Sequence, residues 1–405
     1  MSRIKGYNTG MKDLSINGVI LRTKSKELGE LGDITVMGKT LTEWAADALN
    51  APYKPVDALS VINMCEKLRA AVDRNKTYTA ILYCDAPLVP ATAVRAAIDK
   101  LKAENSNMIT LPRGVVMRTD YLFNVDALYL QEPVTKDAGE YTAVTDGESL
   151  SRITEIIRNR IVRYHASNGV RITDAKNTFI DCEVVIGKGV VIEPYNFIKG
   201  KTIIKDGATI MPGNYIENCI IGANTRIDSS RLYNSFVGAG TRVGPFAYLR
   251  PDSVIGENCR IGDFVEIKNS IIADGCKVSH LSYIGDAELG EDCNVGCGVV
   301  FANYDGKNKY RSIIGKRVFI GSNANIVAPV NVADYAFIAA GSTITKGVPS
   351  QALAIARARQ TLIPEWKGNA YAPPEVYGKA APEPVRFEDG IIDGSAALKK
   401  SDDDN

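Results

Sequence analysis

Aliphatic residues return every six positions through much of the second half of the chain, with the longest runs at 186–216, 237–267 and 314–344. This period fits neither an α-helix nor a flat strand. It is typical of stacked coils, in which each repeat is one short strand followed by a corner and buries one aliphatic side chain inside a narrow tube. The pattern predicts a parallel β-helix over residues 170–346.

The other patterns divide the rest of the chain into four segments. An apolar run, Lys76 to Cys84, reads as a buried strand, and Ala91 to Glu104 follows it with helical spacing, as in an α/β domain. The predicted segments are an α/β domain at 1–145, an amphipathic connecting helix at 146–169, a C-terminal segment at 347–366 and a disordered tail at 367–405.

Charge and composition exclude several classes of protein. The net charge is only +1, so there is no global attraction for nucleic acid, although a local basic site for a phosphorylated small molecule is compatible with it. No apolar run is long enough to span a bilayer, and the first ten residues lack the apolar core of a signal peptide. We therefore expect a cytoplasmic protein that binds neither nucleic acid nor membrane.

The eight cysteines are expected to be reduced packing residues. Cys259, Cys276 and Cys293 each lie four places after a repeat aliphatic, a position that takes a small inward side chain. Cys293 and Cys297 have a spacing that invites a metal-site interpretation, but no histidine lies near them.

The chemistry is expected where the repeat is broken. Residues 302–312 carry no inward aliphatic at the expected position, and Asp305-Gly306 is a turn signal, so this polar loop must leave the tube. His280 is one of only two histidines, and imidazole takes up protons near neutral pH. Taken alone, His280 would be interpreted as a structural or surface residue. His165 is interpreted as structural, because an imidazolium suits the last turn of a helix.

Several groups suited to an anionic sugar phosphate lie near His280 in the sequence. A coil is about eighteen residues long, so Arg250 and Lys268 should stack one coil apart on the same face. Two cations about 4.8 Å apart repel each other unless an anion joins them, which favours a phosphate site. Tyr283 and Asn294 are further candidates for binding this ligand.

The stretch from Gly244 to Gln360 resembles a known family. It contains GPFAYLRPDS, VSHLSYIGDAELG, FANYDGKNKYRSIIG and ALAIARARQ in order. These strings resemble the acetyltransferase domain of the bifunctional UDP-N-acetylglucosamine pyrophosphorylase / glucosamine-1-phosphate N-acetyltransferase family. The resemblance implies a left-handed parallel β-helix preceded by a shortened α/β nucleotidyltransferase-like domain. It also implies a homotrimer with sites between subunits, and acetyl transfer from acetyl-CoA to glucosamine 1-phosphate.

Site roles follow from the resemblance where motif residues match. His280 would be the general base, and Arg250, Lys268, Tyr283 and Asn294 would hold the sugar and its phosphate. The acetyl-CoA site would be lined by Asn303, Tyr304, Ser322, Ala340 and Arg357, with Lys309 nearby. The backbone N–H of Cys297, where family members usually have Ala, would stabilise the thioester oxygen as it gains charge. Arg357 would make 347–366 part of that site.

The resemblance weakens in the N-terminal half. The family's phosphate-binding loop of the type G-x-G-T-R-M is missing from the first 60 residues, and Thr145 stands where the family has an Asn that binds Mg²⁺. We expect uridylyl transfer to be absent, because a phosphate cradle without its glycines loses backbone donors. Asp85 corresponds to the family's other Mg²⁺ ligand. It is interpreted either as a cap of the following helix, which is preferred, or as a surviving metal ligand.

The leading hypothesis is a glucosamine-1-phosphate N-acetyltransferase with a degenerate N-terminal domain, needing Mg²⁺ only if that domain is active. One alternative is a bifunctional enzyme that retains UTP-dependent uridylyl transfer. Another is a non-catalytic hexapeptide scaffold that partners a separate uridylyltransferase.

Overall fold

The N-terminal part is a five-stranded sheet with helices packed on it. The computed structural model describes residues 15–57, 64–128 and 139–362. The strands of the sheet are β1 (Ile16–Arg22), β2 (Tyr53–Asp57), β3 (Tyr78–Tyr83), β4 (Met108–Leu111) and β5 (Gly114–Arg118). Their order is β2-β1-β3-β5-β4, with β2, β1 and β3 parallel and β5 antiparallel to both β3 and β4.

Within the described residues, five α-helices accompany the strands, and two short hairpins follow β1. The helices are α1 (Leu41–Asp47), α2 (Met64–Ala71), α3 (Ala91–Ala103), α4 (Thr119–Asn124) and α5 (Gly147–Ser167), with a 3-10 turn at Gly139–Tyr141. The hairpins pair Lys24–Ser25 with Gly29–Glu30, and Thr35–Val36 with Lys39–Thr40. The predicted strand and helix around Asp85 are therefore β3 and α3.

Helix α5 begins with a capping box and buries one face. The Asp146 carboxylate accepts a hydrogen bond from the Ser149 backbone N–H, and the Ser149 hydroxyl contacts the Asp146 N–H in return. Buried Ile153, Ile157 and Ile161 follow at intervals of four residues. None of the described helices is both long and apolar enough to cross a membrane.

His165 lies in the last turn of α5, and the interpretation of it as an imidazolium is wrong. The side chain is buried, and desolvation lowers its pKa to about 4. The ring is therefore neutral at pH 7, because removal from water disfavours the charged form more than the helix dipole favours it.

The hexads form a parallel β-helix with three faces, as predicted. The first face contains Arg171–Ile172, Val191–Ile192, Thr209–Ile210, Arg226–Ile227, Arg242–Val243, Arg260–Asp263, Lys277–His280, Asn294–Val295, Phe319–Ile320, Phe337–Ile338 and Leu353–Ala354. The second contains Thr178–Ile180, Asn196–Lys199, Tyr215–Glu217, Arg231–Tyr233, Tyr248–Leu249, Glu266–Lys268, Tyr283–Gly285, Val300–Ala302, Asn325–Val327 and Thr343–Ile344. The third contains Val185–Ile186, Ile203–Ile204, Ile220–Ile221, Phe236–Val237, Val254–Ile255, Ile271–Ile272, Ala287–Leu289, Ser312–Ile314 and Asn331–Val332.

The repeat aliphatics fill the tube, one above another. Ile210 pairs with Ile227, which pairs with Val243 in the next coil, and all three are buried. The packing role of Cys259, Cys276 and Cys293 is confirmed, since all three are buried as free thiols. The first face continues to Leu353–Ala354, within the segment 347–366. The predicted disordered tail, 367–405, lies outside the described residues.

Candidate active site

Two corners of the tube carry the candidate residues. The first corner joins the first face to the second and contains Asp263, His280, Cys297, Ser322 and Ala340. The second corner joins the second face to the third and contains Arg250, Lys268, Gly285, Asp286 and Asn303. The side chains of the first corner, and Arg250 and Lys268 at the second, leave the tube and are available to a ligand, whereas Asp286 and Asn303 are buried.

At the second corner, Arg250 and Lys268 are one coil apart. Leu249 pairs with Ile267, and the Arg250 N–H donates to the Ile267 carbonyl at 2.8 Å. Arg250 Nη1 also lies 2.8 Å from Glu266 Oε1. The carboxylate of Glu266 orients the guanidinium but neutralises only one of the two stacked cations.

A third cation, Lys309, reaches the same place from the protruding loop. Contact with the Lys309 ammonium lowers the pKa of Lys268, and slight desolvation and the charge of Arg250 lower it further. The nearby Asp286 carboxylate acts in the opposite direction. Three cations this close repel one another, which makes the second corner a strong attractor for an anion.

Tyr283 and Asn303 lie beside these cations. The Tyr283 hydroxyl passes over Gly285, where a Cβ would come within 2.3 Å of its oxygen and 2.8 Å of Asn303 Nδ2. Any larger residue at Gly285 would displace both groups. Buried Asp286 accepts hydrogen bonds from the side-chain amides of Asn269 and Asn303, and these bonds fix the orientation of Asn303.

The loop between Val300–Ala302 and Ser312–Ile314 leaves the tube and is held at its base. Arg311 Nη1 lies 2.9 Å from Glu288 Oε1, and Nη2 donates to the Asn269 carbonyl at 3.1 Å. Within the loop, Asp305 accepts the backbone N–H groups of Lys307 and Asn308, both at 2.7 Å, and these bonds lower the pKa of Asp305. Tyr304 in this loop is exposed.

At the first corner, His280 contacts an acidic residue that the sequence reasoning missed. Asp263 and His280 pair in register on adjacent coils, and His280 Nδ1 lies 2.6 Å from Asp263 Oδ1. Both side chains are partly exposed, and the hydrogen bond to His280 lowers the pKa of Asp263. The two residues are 17 positions apart, one fewer than the eighteen that separate Arg250 from Lys268, because the step from Ile267 to Ile272 is five residues long. Counting by eighteen would have paired His280 with Gly262, so the pair could be found only by allowing for this shorter coil.

Of the acetyl-CoA residues expected from the resemblance, Cys297, Ser322 and Ala340 continue the same corner, whereas Asn303 lies at the second corner and Tyr304 in the loop that follows it. The Asn323 N–H donates to the Cys297 carbonyl at 2.8 Å, and the Gly341 N–H donates to the Ser322 carbonyl at 2.8 Å. Ala340 precedes Gly341, and a Cβ on Gly341 would lie 3.9 Å from Arg357 Cδ. His280, Cys297, Ser322, Ala340 and Arg357 therefore form one line along the tube.

Asn294 stands apart from both groups within this chain. It is on the first face, where it pairs with Lys277 above and Phe319 below. The structure thus brings Arg250, Lys268, Tyr283 and Asn303 together with Lys309, and places His280 on the opposite edge of the second face.

Asp85, in the N-terminal part, binds an arginine and does not cap a helix. The N-cap of α3 is Pro90, which has no capping side chain, so the cap interpretation is wrong. The buried carboxylate of Asp85 accepts from Arg113 Nε at 2.7 Å, from Arg113 Nη2, and from Thr23 Oγ1 at 3.0 Å. Nothing in the sequence pattern pointed to Arg113.

This environment does not fit a Mg²⁺ ligand, because both oxygens of Asp85 already face a guanidinium. Among the described residues, no group of three or more His, Cys, Asp or Glu side chains could hold a metal ion. The backbone carbonyl of Thr145 accepts from the Ser25 hydroxyl at 2.6 Å.

The β-helix matches known sequences closely. Residues 231–318 match the family described as GMPPB C-terminal domain, and residues 311–346 match the bacterial transferase hexapeptide (six repeats). The bifunctional protein GlmU of Clostridium novyi is 50% identical over 233 residues, which cover 58% of this chain and 51% of the relative. GlmU of Clostridium perfringens is 54% identical over 230 residues, 57% of this chain and 51% of the relative.

The C-terminal part of this chain is therefore similar to GlmU proteins. The chain spans about half the length of the GlmU proteins it matches. GlmU of Clostridioides difficile is a further relative, at 51% identity over 227 residues, 56% of this chain and 50% of its own length.

Solved structures of hexapeptide acyltransferases are more distant. A UDP-N-acetylglucosamine acyltransferase from Campylobacter jejuni has 21% identity, covers 46% of this chain and 71% of its own, and has a TM-score of 0.24. The UDP-N-acetylglucosamine acyltransferase of Arabidopsis has 17% identity, covers 46% and 69%, and has a TM-score of 0.25. At these TM-scores, the two structures give no information about the site of this chain.

Proposed function

We propose that this chain transfers the acetyl group of acetyl-CoA to the amine of glucosamine 1-phosphate. The observation that carries the proposal is the cation cluster of Arg250, Lys268 and Lys309 at the second corner. A doubly charged phosphate would relieve the repulsion among these groups and would accept hydrogen bonds from all three. Tyr283, beside the cluster, would contact the sugar.

The first corner supplies the groups that the chemistry needs. His280 Nδ1 is engaged by Asp263, which leaves Nε2 as the nitrogen that removes a proton from the substrate amine. The amine nitrogen then bonds to the thioester carbonyl carbon, and the bond from that carbon to the CoA sulfur breaks. The backbone N–H of Cys297 would stabilise the negative oxygen of the intermediate, and the departing thiolate takes up a proton. No covalent acyl-enzyme is needed.

We propose a homotrimer whose sites lie between subunits. Within one chain, Asn294 lies on the first face, whereas the cation cluster lies at the second corner. A neighbouring copy, placed against the second face, could bring its own corner and its own Asn294 to the cluster. A narrow tube offers no deep cleft, so a shared site also supplies the concave surface that small substrates need.

In this proposal the N-terminal domain is a structural appendage. It comprises residues 1–145, and the connector at 146–169 joins it to the β-helix. The pairing of Asp85 with Arg113 supports this role and opposes retained uridylyl transfer.

The test is to mix the purified protein with acetyl-CoA and glucosamine 1-phosphate and to follow free CoA thiol. We expect thiol release, and we expect Lys268→Ala to raise the KM for glucosamine 1-phosphate far more than the KM for acetyl-CoA. Lys316→Ala is the matched control, because this lysine lies at a different corner and should behave as the wild type. UTP and Mg²⁺ are then added to detect pyrophosphate, which we do not expect. Absence of thiol release from a folded trimer would refute the proposal.

A further inference from the structure

The contact between Asp263 and His280 is built into the repeat. Asp263 ends the strand Arg260–Asp263 and His280 ends the strand Lys277–His280, one coil further on. The two residues pair in register, and the Leu281 N–H donates to the Asp263 carbonyl at 2.8 Å. Adjacent strands lie about 4.8 Å apart, which is the spacing at which a carboxylate reaches an imidazole directly.

The neighbouring residues hold the two coils close at this corner. A Cβ on Gly262 would lie 1.9 Å from the Ser279 carbonyl oxygen, so only glycine permits this approach. The residues that follow the pair, Phe264 and Leu281, both have a left-handed backbone, with φ of 55° and 43°. The two adjacent coils therefore turn in the same way at the first corner, and the side chains of Asp263 and His280 leave the tube in parallel.

The electrostatics favour an ionised Asp263 that accepts a hydrogen bond from the ring N–H. The hydrogen bond to His280 lowers the pKa of Asp263, and the charge of Arg260 adds a smaller effect in the same direction. Lys277, on the strand of His280, pairs with Arg260, while the next coil places the uncharged Cys297 at this corner. A carboxylate bound at Nδ1 fixes the tautomer that leaves Nε2 unprotonated, and it stabilises the imidazolium formed when the ring takes a proton.

We propose that Asp263 is a positioning residue that sets the tautomer and the basicity of His280. This inference rests on the proposed acetyl transfer, because it assigns His280 the role of base. Asp263 does not touch the substrate in this scheme, so its loss should affect kcat and leave the KM for glucosamine 1-phosphate nearly unchanged.

The kinetic test compares Asp263→Ala and Asp263→Asn with the wild type. A general base contributes about 10²–10⁴-fold to rate, and we expect Asp263→Ala to lose roughly ten- to a hundredfold of kcat. Asn keeps an oxygen acceptor but removes the charge, so the acid limb of the kcat/KM profile should move to lower pH. In the His280→Ala background, adding Asp263→Ala should cause no further loss.

The matched control is Asp292→Asn, because Asp292 is also an exposed carboxylate paired with a cation, Arg317, at 3.4 Å. It should retain the wild-type kcat and pH profile. A wild-type kcat and an unshifted acid limb in both Asp263 variants, with thiol release intact, would overturn the inference while leaving the proposed function standing.

A second readout does not depend on turnover. The ¹⁵N shifts of the His280 ring should show Nδ1 protonated and Nε2 unprotonated in the wild type, and the other tautomer should gain population in Asp263→Ala. An unchanged tautomer in Asp263→Ala would overturn the inference, whatever the activity of the variant. The melting temperature of the variant would show whether a loss of activity comes from unfolding. If the wild type releases no thiol, the proposed acetyl transfer fails, and the ring shifts still decide whether Asp263 orients His280.

Discussion

At the scale of single residues, the side chains with proposed chemical roles lie mostly at the corners of the tube. Inward positions are occupied mainly by aliphatic residues, with buried thiols and small polar side chains among them, whereas Cys297, at the first corner, is exposed. Inward and corner positions therefore differ in their accessibility to solvent and reagents. A reagent in solution meets the corner residues first.

Alkylation should therefore inactivate the protein through Cys297. Among the described cysteines, six are buried, Cys182 is partly buried, and burial raises the pKa of the Cys182 thiol to about 12. Iodoacetamide should modify Cys297 first, and a carboxamidomethyl group beside the proposed oxyanion position should remove most acetyl transfer. Mass spectrometry of the labelled peptide and the thiol-release assay measure the two effects.

The control is Cys297→Ala, which should remain active and resist the reagent, since only the backbone N–H of this residue has a proposed role. If this variant were inactivated as fast as the wild type, the site of inactivation would lie elsewhere.

Among the elements, the protruding loop depends on one arginine for its placement. Arg311 joins the base of the loop to Glu288 and to the Asn269 carbonyl. Arg311→Ala should release the loop, and with it Lys309, so the KM values for both substrates should rise severalfold. Steady-state kinetics test this, with Arg317→Ala as the control because its ion pair with Asp292 is exposed and lies outside the loop. Unchanged KM values in Arg311→Ala would show that the loop holds its shape without this anchor.

Helix α5 should make stability depend on pH through His165. Burial lowers the pKa of His165 from 6.5 to about 4, so the unfolded chain binds a proton more readily than the folded one between these values. The contribution is fully present above pH 6.5 and is lost as the pH falls toward 4, amounting to roughly 3 kcal/mol at most. Urea unfolding at pH 7.5 and pH 5 should show a smaller difference for His165→Leu than for the wild type. An equal difference in both proteins would contradict this assignment.

For the whole molecule, the N-terminal domain should contribute to folding and not to acetyl transfer. The ion pair of Asp85 and Arg113 is almost fully buried, and removing one partner of such a pair costs about 3–5 kcal/mol. Arg113→Leu should therefore lower the free energy of unfolding by that amount, while kcat for acetyl transfer stays at the wild-type value. Chemical denaturation and the thiol assay measure both quantities.

The control for this variant is Lys100→Ala, whose partner Glu104 is exposed and whose loss should cost less than about 1 kcal/mol. A fall in kcat without a change in stability would instead connect Arg113 to catalysis.

The β-helix and one edge of the site were determined by the sequence itself. One inward aliphatic per six residues is a local pattern, and a regular coil converts separation along the chain into stacking, which is why Arg250 and Lys268 could be placed together. Asp263 and His280 are reached in the same way only when the five-residue step from Ile267 to Ile272 is counted, which shortens their coil to 17 residues. These predictions hold because the repeat fixes the register of every coil through its buried side chains.

Only the tertiary structure decided the contacts that do not follow the six-residue repeat. Lys309 meets Lys268 across a loop outside the repeat, and Arg113 reaches Asp85 from the turn between β4 and β5. The neutral state of His165 also depended on packing, since helix position predicts a charged ring and burial reverses it. In each case the deciding quantity was the distance or desolvation produced by folding, which a local pattern of residues does not contain.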